Sequence, residues 1–136
     1  MDRVIATLTM MMSLWSITIV DCWQSPDYGG LYNLETQTIE LCRNEHDFMR
    51  HVLFHEIGHY MWFTHMTEEE HDARYALWLW YVTEYAETHT TEDFAEVFRV
   101  VVYDYWYWQY RTFDNENITK KYQFVVDILE KYNDNI

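Results

Sequence analysis

The sequence predicts a small α+β domain in which a short N-terminal β-sheet packs on a helix carrying an HExxH motif, followed by a mainly helical C-terminal part. Three observations predict it. Compact β-branched runs bounded by Pro/Gly and Asn turns occupy the first third of the chain. From Asn44 onward the apolar residues recur at helical spacing. Only three Gly and one Pro interrupt 136 residues, of which 49% are apolar, enough for one core and a single domain spanning 1–136.

Taken in order, residues 1–15 read as a leader or as a short helix. Arg3 is the only basic residue there, Thr and Ser dilute the apolar run, and no small-x-small site precedes Asp21, which favours the helix and a cytoplasmic over a secreted location. The run is too short and polar for a stable membrane span. "WSITIVDC" reads as a core strand, and after the turn "QSPDYGG" the segment "LYNLETQTIELC" reads as two short strands around Asn33 to Gln37. This arrangement brings Cys22 and Cys42 onto neighbouring strands, where they either pair or stand as small buried hydrophobes.

Asn44 as N-cap with Asp47 three residues on opens a helix whose apolar positions are Phe48, Val52, Ile57 and Met61. A break near Thr64 to Met66 follows. Thr67 and Glu70 have capping-box spacing and start a second helix, 68–87. A third begins near Thr91, with Phe94, Val97, Phe98 and Val101 on its apolar side. After a loop at "FDNEN" a final helix runs from Thr119 to about Tyr132.

Nine Lys plus Arg against 23 Asp plus Glu give a formal charge of -14, which repels nucleic acid and anionic membrane and excludes them as expected partners. The chemistry lies in His55-Glu56-Ile57-Gly58-His59. Residues four apart share a helix face, so His55 and His59 can offer two imidazole nitrogens to one zinc ion. Glu56, about 100° around the helix, sits beside that ion rather than on it. That is the place for a general base, because zinc brings the pKa of its water down to about 7. Gly58, a poor helix former, implies that another element packs closely there.

Catalytic zinc takes three protein ligands and keeps one open position. His65, six residues after His59, has the spacing of a third histidine ligand, but Trp62 stands where the turn-making glycine belongs. Glu92 is the other candidate. With Glu96 four residues on, both acids can face one site while Phe94 and Phe98 pack elsewhere, Glu92 on the metal and Glu96 orienting a histidine. The same acids also suit a helix N-terminus with no metal at all.

HEIGH together with "YAETHTTEDFAEVF" resembles the gluzincin-type zinc peptidases grouped with the catalytic domain of anthrax lethal factor and the bacterial Pro-Pro endopeptidases. The resemblance implies a zincin-like fold, with Glu92 as third zinc ligand and Glu96 hydrogen-bonded behind the ligands. It also implies that Tyr85, seven residues before Glu92, assists at the oxyanion. "LYNLETQTIELC" resembles the edge strand on which these enzymes bind a peptide or protein substrate as an extended strand. The expected activity is zinc-dependent endopeptidase hydrolysis, with Glu56 as base. Two other classes stay open: a zinc-binding regulatory or binding module with little proteolysis, and a metal-free helical interaction protein. Oligomeric state is not legible.

Overall fold

The computed structural model describes residues 16–22, 29–77, 80–109 and 111–133. The leader or helix expected over 1–15 lies outside them, as does most of the "QSPDYGG" turn. The described chain is α+β and mostly helical, a three-stranded sheet with four α-helices.

The strands are β1 (Ser16–Val20), β2 (Gly30–Asn33) and β3 (Thr38–Cys42). Their order is β1-β3-β2, with β1 parallel to the central β3 (Ile17 opposite Ile39) and β2 antiparallel to it (Tyr32 opposite Ile39). The β2–β3 turn forms where the sequence placed it, because the Asn33 carboxamide oxygen accepts from the Glu35 and Thr36 N–H groups at 3.0 and 3.1 Å. Cys22 and Cys42 form a disulfide with Cα atoms 5.4 Å apart, joining the ends of the two parallel strands.

Helix α1 (His46–Tyr60) starts one residue later than the Asn44 cap implies. The Asn44 side chain accepts locally from the Glu45 N–H instead, and Glu45 occupies the cap position. α1 runs into a π-helical turn, Met61–His65, before Met66 turns extended, which is the expected break. The Thr67/Glu70 capping box is present in both directions, at 3.2 and 2.9 Å, and opens α2 (Glu68–Tyr75).

α2 stops a dozen residues short of the expected end at 87. The buried Arg74 guanidinium donates to the Leu77 carbonyl and to Asp93, and Trp80 has a φ of 65°, which a continuing helix excludes. A tertiary ion pair overrides helix propensity there. A 3-10 turn, Tyr85–Thr88, leads into α3 (Thr90–Trp106), whose cap is His89: its Nδ1 accepts from the Thr91 N–H at 3.1 Å. α4 (Glu116–Asn133) begins three residues before Thr119, because the Asn115 side chain accepts from the Asn117 and Ile118 N–H groups.

The core joins Ile39 and Leu41 of β3, Phe54, Ile57 and Met61 near the end of α1, Phe94, Val97, Phe98 and Val101 of α3, and Val125 and Leu129 of α4. α1 and α3 meet at Gly58. A Cβ there would lie 2.9 Å from the Ala95 Cα and 3.1 Å from the Phe98 Cβ, so only glycine allows this approach. That crossing sets the first turn of α3 beside the histidines of α1.

Candidate metal centre

His55 and His59 stand one turn apart on α1 with ring centroids 4.8 Å apart, and Glu92 reaches them from the first turn of α3. The Glu92 Oε2 is 2.9 Å from His55 Nε2 and 3.2 Å from His59 Nε2, and the two nitrogens are 3.1 Å apart. Tetrahedral bonds of roughly 2.0–2.1 Å hold their donor atoms roughly 3.3 Å apart, so this triangle is close to the size a metal ion needs. Although Glu92 Oε2 is buried and near both imidazoles, it has no aligned hydrogen bond among the described residues. His55, His59 and Glu92 are thus a group able to hold a metal ion.

Electrostatics agree with the geometry. Burial alone would lower the His55 imidazole, but the carboxylates of Glu92 and Glu96 against it raise it to about 9. Burial would likewise raise Glu92, yet its contacts with His55 and His59 hold it well below the usual carboxylate range.

Glu96 lies behind His55. Its Oε2 accepts from His55 Nδ1 at 2.9 Å and from Arg99 Nε at 2.8 Å, and its Oε1 accepts from the Thr83 hydroxyl at 3.0 Å. Against the effect of burial, His55 and Arg99 pull its carboxyl down to about 2. This contact fixes the proton on Nδ1 and turns His55 Nε2 toward Glu92. Thr83 and Arg99 are absent from the sequence reading, as is His51, whose Nδ1 accepts from Arg99 Nη1 at 2.9 Å. The spacing of His51, His55 and His59 at successive i+4 positions was the available signal.

Glu56, 7% exposed, sits beside the triangle rather than in it. Burial raises its carboxyl, offset in part by the nearby imidazoles and by the Tyr32 backbone N–H, with which it forms a hydrogen bond. Tyr85 is 53% exposed and its ring centroid is 5.6 Å from that of His55. Burial of its hydroxyl and then the Glu92 charge push the phenol up, keeping it protonated as a donor. A cavity of about 640 Å³ opens here, lined by Gly30, Phe48, Val52, His55, Glu56 and Tyr85 among others.

Three other histidines are placed elsewhere. His65 Nε2 is 3.1 Å from the Tyr60 hydroxyl, and its carbonyl accepts from Tyr132, so it stands off the metal-capable group. His71 is stacked on Trp62 and bonds its carbonyl, while His89 caps α3.

The edge strand β2 borders the same cavity. The Cys42 N–H bonds the Gly29 carbonyl, so Leu31 and Asn33 exchange backbone bonds with β3 while the backbone groups of Gly30 and Tyr32 face away from it, on an edge that no other described strand pairs. The Tyr32 N–H on that edge is taken by Glu56. No protein-family model, curated protein or solved structure matches the chain.

Proposed function

We propose that the chain is a zinc-dependent endopeptidase of the gluzincin kind. The observation that carries this reading is the convergence of His55, His59 and Glu92 on one point with Glu56 beside it and Tyr85 lining the same cavity. Two imidazoles and one carboxylate are a donor set that suits zinc. When bound, zinc supplies Lewis acidity, activating water and polarising a carbonyl near neutral pH.

The residues of the chain do the rest. Glu56 accepts the proton of the attacking water and returns it to the leaving amine, a role its raised carboxyl favours. The Tyr85 phenol donates to the oxygen on which charge develops. Glu96, held by Arg99 and Thr83, keeps His55 in the ligating tautomer. An extended peptide pairs with the Gly30 N–H, Gly30 carbonyl and Tyr32 carbonyl of β2, the groups directed away from β3, which aligns it along the cavity. The Cys22–Cys42 bond favours an oxidising compartment over the cytoplasm that the sequence of residues 1–15 slightly favoured.

The test is a peptide-library digest with zinc-loaded wild type and Glu56→Ala. Cleavage falling at least a hundredfold with one zinc retained is the expected result. Zinc retained with no Glu56-dependent product in the wild type identifies the binding-module alternative.

A further inference from the structure

We infer that the substrate carries a carboxylate close to the bond that is cut, received by a second, cation-lined cavity beside the metal centre. The inference rests on the peptidase reading above. The cavity measures about 200 Å³ and is lined by His51, Thr83, Arg99, Tyr103, Arg111 and Phe113, with valines completing its wall. The chain has nine Lys plus Arg against 23 Asp plus Glu, yet two of the nine line this one small space, and none of the described residues that line it is acidic.

Both arginines are held in place from behind. Glu96 takes Arg99 Nε at 2.8 Å, and the fully buried Asp104 takes Arg111 Nη2 at 3.0 Å. A guanidinium has five N–H donors. Among the described residues Arg99 uses two, on Glu96 and His51, and Arg111 uses one, on Asp104. The remaining donors, with the Tyr103 hydroxyl, suit the two oxygens of a carboxylate, and Phe113 offers an apolar wall to the methylenes that carry it.

His51 and Arg99 also line the larger cavity that holds His55, Glu56 and Tyr85. The two spaces therefore share a wall, and a ligand whose backbone lies along β2 can place an acidic group against it. Two sources share this chemistry: an Asp or Glu side chain, and the free C-terminal carboxylate of a short peptide.

The experiment uses the zinc-loaded full chain with internally quenched peptides that differ only in Glu or Gln flanking the scissile bond. Each is made with a free or an amidated C-terminus. A labelled, matched Glu/Gln peptide pair is also bound to zinc-free protein. Glu peptides are expected to be cleaved about tenfold faster in kcat/KM and bound more tightly, with both preferences collapsing in Arg111→Gln. Because Arg111 also pairs with buried Asp104, Arg111→Lys is run beside it. It keeps the charge without the two-pronged geometry and is expected to keep the melting temperature and lose most of the selectivity. A preference that follows the free C-terminus instead of the side chain supports the site and assigns the carboxylate to a chain end. Selective binding of the Glu peptide, lost in Arg111→Gln, without cleavage of any peptide supports the carboxylate site and removes the peptidase reading. Cleavage indifferent to Glu or Gln, or a preference unmoved at Arg111, overturns the inference and leaves the peptidase reading standing.

Discussion

Three side chains on two helices, His55, His59 and Glu92, meet within hydrogen-bonding distance of one another. Glu92→Ala removes one donor of the triangle and is expected to weaken zinc at least tenfold, whereas His65→Ala, on a residue bonded to Tyr60, leaves zinc at one per chain. Elemental analysis after dialysis against a weak chelator reads both. The proton on His55 gives a second prediction. Its imidazole rises from 6.5 to about 9 on folding, so its contribution to stability is complete below about pH 6.5 and is lost as pH rises through about 9. Glu96 moves the other way, from 4.5 to about 2, so its contribution is complete above about pH 4.5 and is lost as pH falls through about 2. The melting temperature of metal-stripped protein is therefore expected to fall between pH 6 and pH 9.5. With zinc present the trend reverses, because the ligands must be deprotonated to bind. His55, Glu56 and His59 were legible because their partners lie within one helical turn of sequence. Arg99 and Thr83 were not, since Arg99 meets His51 across 48 positions and Thr83 comes from a segment the sequence reads as helix.

Helix α3 owes its place to a missing side chain on α1. Gly58→Ala puts a methyl group 2.9 Å from the Ala95 backbone, so the helices must separate. Alanine returns up to about 1 kcal/mol of helix propensity, and overpacking costs about 1–3 kcal/mol. A net loss is expected in urea melts, larger for Gly58→Val, together with weaker zinc because Glu92 and Glu96 ride on the displaced helix. The legibility of each element depended on where its determinants lie. The Thr67/Glu70 box and the Asn33 turn are short-range and were read correctly. The end of α2 is decided by Arg74 reaching Asp93 on α3, and the start of α4 by an Asn115 cap hidden inside a polar loop, so local pattern misplaced both. The close approach implied by Gly58 was legible as a demand, though not the identity of its partner.

For the molecule as a whole, the buried cluster around Asp93 ties three elements together. Arg74 of α2 and Lys121 of α4 both pair with Asp93 of α3, Lys121 at 2.9 Å, and all three are 2% exposed or less. Asp93→Ala leaves two cations buried without a counter-charge and is expected to cost about 3–5 kcal/mol. Calorimetry of the metal-free protein reads this loss apart from any effect on Glu92. The disulfide acts on the sheet, closing a separation of 20 residues between the segment just after β1 and the end of β3 and stabilising the fold by about 3 kcal/mol. The α+β composition was legible because a β-rich third followed by helical repeats is a whole-chain pattern. The parallel pairing of β1 with β3 was not, since no local signal distinguishes it from a meander. The crowding of His55 between two carboxylates also bears on how the group would take up an ion: a bound cation would have to displace a proton, so adding zinc is expected to release protons to solvent, which a titration in weak buffer reads.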